Sequence, residues 1–454
     1  MESKKIVKGN KKTIRGWIFY DWANSVYNLV VSSAIFPIFY DTITKQRYAK
    51  QLGINVEDLK EGQTILVDFF GNKLSSSVLF SFVLASSFLV VACLSPLLSG
   101  VADYTGSKKK FLKFFCYLGS ISCMSLFWFN DLPLELGMFS VFLASIGFWN
   151  SLVFYNAFLP EIAEVEDHDK ISAKGFIMGY FGSMILLILC LIWMQVLHQP
   201  AKYCFLFVGF WWIGFSQITY KALPNNVYSK KPKVDNILWR GFKELKLVFQ
   251  EFKKTYRLKR FLISFFFFNT GVQTVMLMAT IFANKEISWP EGSGNSGLII
   301  AILLIQIVGA AGAFMMSRLS EKIGNIKTLI LSVTIWVGIC FIAYFVKTPF
   351  QFYFLASMVG LVMGGVQAMA RSTYSKFLPE NTSDHASYFS FYDVTEKLGI
   401  VLGLLFFGLM EMLTGSIRFS IISVAFFFIV GLILLFFVPK EEVEVKLHED
   451  YIPK

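Results

Sequence analysis

Long apolar stretches recur along the whole chain, and charged residues are concentrated in the segments between them. A helix of roughly twenty apolar residues is long enough to cross the hydrocarbon core of a bilayer. The pattern therefore predicts an all-α membrane protein with twelve transmembrane helices. The predicted spans are 17–40, 77–101, 111–130, 134–159, 173–197, 203–222, 260–284, 297–317, 327–346, 350–370, 387–413 and 417–438.

The first predicted span carries polar residues along one side. Asp21, Asn24 and Asn28 follow one another at spacings of three and four residues, which places them on one face of a helix. Polar and charged groups are costly in contact with lipid, so this face should meet other helices or a water-filled cavity. Both a polar packing seam between helices and a substrate pathway fit the pattern.

Composition and charge agree with a membrane setting. Of the 454 residues, 55% are hydrophobic and only 16% are charged, too few to coat a soluble globule of this size. Short loops rich in Lys and Arg stay on the cytoplasmic side. The N-terminal segment, the loops after the second and eighth spans and the long connection 223–259 are all basic. We therefore expect a protein of the inner cell membrane with both termini in the cytoplasm.

The net charge of +11 indicates this topology and attraction to anionic lipid head groups, not binding of nucleic acid. Within the basic connection, 236–256 has the pattern of an amphipathic helix on the inner membrane surface; a plain linker helix is the alternative. The predicted organisation is a first six-helix bundle over 1–222 with an outer loop at 41–75, a linker over 223–259, a second bundle over 260–438 and a cytoplasmic tail over 439–454.

Two short motifs occur in both halves at nearly the same separation. The first comprises Gly100, Asp103, Gly106 and Lys109, matched by Glu321, Gly324 and Lys327; the second is the run 155–161, matched by 374–380. The offsets are 218 residues for the first motif and 219 for the second. Chance matches are not expected to agree in offset, so the sequence predicts two homologous halves. Coincidence in an apolar sequence of low complexity is the alternative.

The sequence Gly100-Val-Ala-Asp103-Tyr-Thr-Gly106-Ser-Lys-Lys109, between the second and third spans of a chain with two six-helix halves, resembles the major facilitator superfamily. The Tyr-Asp-Trp-Ala-Asn-Ser run at 20–25, the long outer loop, the run 155–160 and Tyr392-Asp393-Val394 resemble, more narrowly, the fungal autophagy-linked vacuolar amino-acid effluxers and their bacterial relatives. This resemblance implies a secondary transporter that moves a small polar or amphipathic solute, an amino acid or similar, by alternating access.

Motifs of other function classes are missing. No phosphate-binding G-x-x-x-x-G-K-[S/T] run is present, which argues against an ATP-driven pump. The four histidines lack partners at metal spacing, and the six cysteines show no C-x-x-C pair. We expect no cofactor, no metal site and no enzymatic activity, and we expect a monomer. A non-transporting membrane receptor or scaffold of the same fold is the alternative function.

Polar side chains inside apolar spans are the candidates for a substrate pathway. Asn269 and Gln273 are neighbours one helical turn apart in the Phe-rich seventh span, which holds the place in its half that the first span holds in its own. The predicted lining of the pathway is Asp21, Asn24, Asn28, Tyr155, Asn156, Asn269, Gln273 and Gln367. The fifth span adds Gly175, Gly179 and Gly182, a spacing suited to close helix packing.

Asp393, Glu396 and Lys397 share one face of the eleventh span, near its cytoplasmic end. They form either a structural ion-pair cluster at a helix start or, together with Arg371, a set of charges whose pairing changes when a carboxylate binds a proton. Asp21 is a rival proton carrier, because its own helix offers it no basic neighbour. The loop residues of the candidate cytoplasmic gate are Gly100, Asp103, Gly106, Lys109, Glu321 and Gly324.

Overall fold

The computed structural model describes residues 8–59, 64–225, 237–290, 294–379 and 382–441. Its long helices are α1 (Lys11–Leu52), α2 (Ser76–Thr105), α3 (Lys108–Ser125), α4 (Leu134–Asn156), α5 (His168–Leu191), α6 (Lys202–Ala222), α7 (Ile237–Lys254), α8 (Tyr256–Glu286), α9 (Gly294–Ile323), α10 (Asn325–Phe345), α11 (Pro349–Lys376), α12 (His385–Thr414) and α13 (Ile417–Phe436). Parts of the predicted linker and tail, and Glu380 of the second repeat motif, lie outside the described residues.

Eleven helices within these ranges are long and apolar enough to cross a membrane. Each of the twelve predicted spans corresponds to a helix, but α6 is not among the eleven. Although α6 has 21 residues, it contains two each of Trp, Tyr, Gly and Lys together with Ser, Gln and Thr, which are less apolar than the Leu, Ile and Val of the other spans. The all-α membrane fold predicted from the sequence is confirmed.

The segment predicted as an outer loop after the first span contains regular secondary structure. α1 continues to Leu52 and ends at Gly53, whose φ of 67° suits the left-handed conformation that closes a helix. A hairpin of β1 (Leu66–Phe69) and β2 (Asn72–Ser75) follows. The interpretation of 41–75 as a loop was therefore wrong for its first dozen residues, because no Gly or Pro interrupts the chain between 41 and 52.

The helix contacts of the first six transmembrane helices recur in the last six. α1 packs against α5 and α6, α2 against α4, and α3 against α4 and α6. In the same way α8 packs against α12 and α13, α9 against α11, and α10 against α11 and α13. We call α1–α6 the first bundle and α8–α13 the second bundle. α2 packs against α12 and α5 against α9 across the two bundles, a pattern that two homologous halves would produce.

Residues near both ends of the described chain lie at one end of the structure. The Gly9 N–H donates to the Ile162 carbonyl at 2.9 Å, and Arg257 Nε donates to the Pro439 carbonyl at 3.0 Å. The α2–α3 and α4–α5 links and the start of α12 meet here, and we call this the basic end. α7 also packs on α2 near this end, where Gly100 is too close to α7 for a Cβ.

Candidate functional site

A buried ion pair joins the two bundles. Arg371 of α11 lies against Asp21 of α1, with Nη1 and Nη2 each 3.2 Å from Asp21 Oδ2. The same oxygen accepts a hydrogen bond from the Tyr155 hydroxyl at 2.8 Å. Arg371 is 4% exposed and Asp21 is 5% exposed. Because an unpaired charge is costly at such burial, each of these two charges depends on the other.

The rest of the Arg371 guanidinium is also bound by the first bundle. Its Nε donates to Ser172 Oγ at 2.9 Å, its Nη2 donates to the Ser172 carbonyl at 2.8 Å, and its Nη1 lies 3.4 Å from Asn156 Oδ1. The rings of Phe176 and Trp17 lie 4.3 and 4.9 Å from Cζ, within cation–π range. A second-bundle side chain thus contacts α1, α4 and α5, so relative movement of the bundles must alter these contacts.

Glycines on α5 allow α1 to approach this ion pair. A Cβ at Gly175 would collide with Asp21 Oδ2 and lie 2.9 Å from Arg371 Nη2. A Cβ at Gly179 would collide with Ser25 Oγ in the same way. The close helix packing predicted from the glycine spacing is confirmed for α5 against α1, and it is a condition for the ion-pair geometry.

A second buried ion cluster lies on α12. Lys397 Nζ is 3.1 Å from Asp393 Oδ1 and 3.3 Å from Glu396 Oε2, and the lysine is 1% exposed. Glu396 Oε1 accepts a hydrogen bond from Gln273 of α8 at 2.7 Å. Lys397 Nζ also lies 3.5 Å from the ring centroid of Trp149 on α4. A cation of the second bundle therefore rests on an aromatic ring of the first.

At the basic end, Asp103 of α2 binds the start of α12. Asp103 Oδ2 accepts hydrogen bonds from the Ser387 N–H and the Ser387 hydroxyl, each at 2.7 Å. The first turn of a helix has N–H groups without intrahelical partners and a dipole that favours an anion. The carboxylate accepts hydrogen bonds from these N–H groups and interacts favourably with the dipole. Lys108 lies 3.1 Å from Asp103 Oδ1 and also pairs with Glu161. These contacts connect the two bundles through buried charges.

A second contact at the basic end has the acid and the serine exchanged. Asp169, in the first turn of α5, accepts a hydrogen bond from Ser320 Oγ of α9 at 2.9 Å. Ser320 immediately precedes Glu321, the counterpart of Asp103, and Asp169 lies 218 residues before Ser387. In the contact between α2 and α12 the acid, Asp103, is near the end of α2 and the serine is at the start of α12. In the contact between α9 and α5 the acid, Asp169, is at the start of α5 and the serine is near the end of α9.

Two further second-bundle groups bind Asp169. Lys376 Nζ lies 2.6 Å from Asp169 Oδ2, and Asn325 Nδ2 lies 2.6 Å from Asp169 Oδ1. Lys376 also donates to Asn325 Oδ1 at 3.1 Å. Both Asp169 oxygens are therefore occupied by groups of α9, α10 and α11.

The family model described as "Vacuole effluxer Atg22 like" matches residues 9–447. The chain belongs to this family. A Bacillus subtilis (strain 168) protein named as the uncharacterized MFS-type transporter YxiO is 28% identical over 445 residues, which cover 96% of this chain and 97% of that protein. Autophagy-related protein 22 of Saccharomyces cerevisiae (strain ATCC 204508 / S288c) is 23% identical over 484 aligned residues, covering 91% and 89% of the two chains.

Solved transporter structures share the fold of this Atg22-like chain. The E. coli fucose:proton symporter FucP has a TM-score of 0.62 at 13% identity, with 95% of this chain and 98% of that chain covered. The proton:xylose symporter XylE has a TM-score of 0.65 at 11% identity, with 94% and 95% covered. The chain is a multi-pass membrane transporter of the major facilitator type, in agreement with the resemblance stated from its motifs.

The Atg22-like chain pairs Arg371 differently from our expectation. We expected Arg371 to meet the acids of α12, but the structure places it on Asp21, and Asp21 has its basic neighbour in the other bundle. Among the described residues, Lys397 is the cation that pairs with both Asp393 and Glu396. Periodicity shows which residues share a face of one helix, but it does not show which helix that face will meet.

Two of the predicted gate residues lie away from the contact between the bundles. Lys109 donates to the Leu223 carbonyl at 2.7 Å, next to the first bundle, whereas its neighbour Lys108 donates to the Ser383 carbonyl, two residues before α12 begins. Adjacent helical residues point about 100° apart, and the motif does not decide between two consecutive lysines. Glu321 Oε2 lies 3.7 Å from Arg318 Nη1 of the same helix, a long distance for an ion pair, and both side chains are exposed.

The glycines of the predicted turns adopt the backbone conformation that a tight reversal requires. Gly106 has a φ of 64° and Gly324 a φ of 87°, values at which other residues are strained. Gly100 instead serves packing, since α7 leaves no room for a side chain there.

The remaining predicted pathway residues are buried or half-buried. Asn24 and Asn269 are 2% and 4% exposed, and neither Nδ2 has a hydrogen-bond partner among the described residues. Asn28 and Gln367 are half-buried, and Gln367 Nε2 lies 3.7 Å from Met276 Sδ. Buried amide donors without partners suit binding of water or a polar solute.

Sequence reasoning missed Asp169, Ser172 and Lys108. Asp169 and Ser172 lie just before the predicted start of the fifth span at 173, where polar residues are ordinary and carry no signal. Within the described residues, no group of three or more His, Cys, Asp or Glu side chains is arranged to hold a metal ion.

Proposed function

We propose that this transporter moves an amino acid or a similar small zwitterionic solute across the inner cell membrane by alternating access, with proton coupling. The observation that carries the proposal is the Asp21–Arg371 pair, a buried carboxylate and guanidinium from different bundles. The carboxylate of a zwitterion can replace Asp21 on Arg371, and its ammonium group can replace Arg371 on Asp21. A solute with both charges can therefore separate the pair without leaving either buried charge uncompensated.

The position of the pair supports its exchange with solute. Arg371 contacts three helices of the first bundle, so its release changes the free-energy difference between conformations. The buried amide donors of Asn24 and Asn269 offer further hydrogen bonds in the first helix of each bundle. The family name refers to an effluxer, and the amino-acid assignment follows the resemblance to autophagy-linked relatives.

With the basic end in the cytoplasm, the contacts of Asp103 and Asp169 close the cytoplasmic side. Asp103 lies near the end of α2 and Asp169 at the start of α5, and both acids bind polar groups of the other bundle. Opening of that side requires these hydrogen bonds to break, and solute binding at Arg371 would supply part of the necessary free energy. Proton binding at Asp21, Asp393 or Glu396 would then bias the two conformations.

The test is flux through the purified full chain in proteoliposomes. Amino acids, sugars and peptides are offered with and without an imposed pH gradient, and uptake is followed by mass spectrometry. We expect saturable movement of amino acids that a pH gradient accelerates. A receptor or scaffold would show no flux of any solute in either direction.

A matched pair of variants links the flux to the site. Asp21→Asn should reduce amino-acid flux by about tenfold or more, because the Arg371 charge loses its partner. Asp131→Asn makes the same chemical change at an exposed residue and should leave flux unchanged. Selective transport of neutral sugars in place of amino acids would overturn the proposed substrate class and leave the transport mechanism in place.

A further inference from the structure

An open groove lies between the start of α1 and the end of α6, at the basic end of the first bundle. Its volume is about 500 Å³. Four cationic side chains line it: Lys11, Lys12, Arg15 and Lys221. Phe19 and Ile218 provide apolar walls, and Ile218 is 42% exposed.

Close packing of the two helices forms the floor of the groove. A Cβ at Gly16 would collide with the Ala222 side chain, and the Thr219 hydroxyl donates to the Gly16 carbonyl at 2.7 Å. The backbones of α1 and α6 therefore nearly touch at this level, while the longer side chains on either side diverge. The groove is consequently a fixed feature of two packed helices.

The charges in the groove are unbalanced. No carboxylate lines the groove, and none of the four cations has an ion-pair partner among the described residues. Lys11, Lys12 and Arg15 also occupy the first turns of α1, which contain no acid. Cations are unfavourable at a helix start, because the helix dipole is positive there. An anion in the groove would offset both effects, and a cleft lined by one sign of charge concentrates counter-ions.

We propose that this groove binds the head group of an anionic phospholipid, with the adjoining acyl chain against Phe19 and Ile218. Lys and Arg side chains at the ends of membrane-spanning helices place their charges at the level of lipid head groups. The apolar walls distinguish a lipid from a free anion, which would gain nothing from them. The inference does not depend on the transported solute.

Native mass spectrometry of the full chain in detergent tests this site. Dioleoyl phosphatidylglycerol and dioleoyl phosphatidylcholine have the same acyl chains and differ in head-group charge. The wild-type protein should retain phosphatidylglycerol in preference to phosphatidylcholine. The combined variant K11Q/K12Q/R15Q/K221Q should lose affinity for phosphatidylglycerol by about tenfold or more, since each cation near an anionic lipid contributes roughly fivefold.

Two controls separate the groove from general attraction to the basic end. The variant K243Q/K246Q/K253Q/K254Q removes the same charge from exposed positions of α7 and should keep the wild-type preference. Ile218→Trp keeps all four cations but fills the groove, and it should weaken phosphatidylglycerol binding. Equal loss in the two combined variants, or unchanged binding by Ile218→Trp, would overturn the groove as the site.

Competition with inorganic phosphate decides between a lipid and a free anion. Phosphate should fail to displace phosphatidylglycerol, because it does not use the apolar walls. Displacement by phosphate with equal affinity would overturn the assignment to lipid. Unfolding temperatures of all variants, measured in the same detergent, identify any variant that has lost its fold.

Discussion

Asp169 occupies on α5 the place that Ser387 occupies on α12, and each side chain contacts the opposite bundle at the basic end. In the contact between α2 and α12 the acid is Asp103, near the end of α2. In the contact between α5 and α9 the acid is Asp169, in the first turn of α5. Both acids therefore belong to the first bundle. All the groups that bind them across the interface belong to the second bundle. In both contacts the negative charge therefore lies on the first bundle.

The exchanged arrangement predicts partial rescue by a double substitution. Asp169→Ser removes the anion that Lys376 and Asn325 bind, and it should lower the free energy of unfolding by about 2 kcal/mol. Adding Ser320→Asp returns a carboxylate to the same contact and should recover part of that loss. Unfolding in mixed detergent micelles measures both changes. If the double variant were less stable than Asp169→Ser alone, the two positions would not be interchangeable.

Hydrogen–deuterium exchange tests the contact of Asp103 with α12. Asp103→Asn weakens the acceptors of the Ala386 and Ser387 N–H groups, so exchange at the start of α12 should accelerate by about tenfold. Glu321→Gln provides a matched control, because Glu321 is exposed and pairs weakly with a neighbouring residue. Equal acceleration in both variants would contradict a specific role for Asp103.

Removal of either member of the Asp21–Arg371 pair should cost more than removal of both. Arg371→Met leaves a buried carboxylate without its cation and should destabilise the protein by about 3–5 kcal/mol. The double variant with Asp21→Asn should be more stable than Arg371→Met alone. Lys285→Met is the control, since its 2.9 Å pair with Glu411 is solvent-exposed and should contribute only about 0–1 kcal/mol. Additive effects at Asp21 and Arg371 would show that they do not interact.

Gly175→Ala tests the approach of α5 to this pair. The added methyl group would collide with Asp21 Oδ2, so flux should fall although the change is small. Gly338→Ala is a matched control in α10, where no atom lies within 4 Å of the new Cβ. There the better helix propensity of Ala should stabilise the protein by up to about 1 kcal/mol. Equal flux in the two variants would contradict a packing role for Gly175.

The sequence predicted the helices and most of the polar residues that interrupt them. Asp21, Arg371 and Lys397 stand out because a charged group within an apolar span is costly, so such a residue is expected to have a structural or functional role. Their partners could not be predicted in the same way. Asp21 and Arg371 are 350 residues apart, and the pairing depends on packing of α5 between α1 and α11. No local pattern encodes that arrangement.

The repeat motifs located the basic-end contacts but did not identify every residue in them. Asp103 was predicted from the acid-glycine-lysine turn, and it does bind the other bundle. Among the described residues its counterpart Glu321 pairs only with Arg318 of the same helix, and Asp169 supplies the acid of the second contact from the other bundle. The two halves keep the position of the contact, but the residue types on its two sides are exchanged. Internal symmetry therefore predicted where the contact lies but not which residue supplies the acid.

The α12 cluster provides the sharpest prediction for proton coupling. Lys397 holds Asp393 and Glu396 together, and Ser95 of α2 lies 3.4 Å from Asp393 Oδ2. A proton on either carboxylate would weaken its attraction to Lys397 and change the contact of this lysine with Trp149 on the first bundle. Proton binding at this cluster would thereby favour one arrangement of the bundles over the other.

We therefore predict that Asp393→Asn or Glu396→Gln abolishes accumulation driven by a pH gradient while counterflow exchange continues. Counterflow needs solute binding and the conformational change but no net proton movement, so a permanently neutral side chain should not prevent it. Asp21→Asn should impair both, because Asp21 belongs to the ion pair proposed to bind the solute. Uptake of labelled solute into proteoliposomes, with a pH gradient in one set and unlabelled internal solute in the other, separates these outcomes. Full gradient-driven accumulation in all three neutral variants would exclude coupling through these carboxylates.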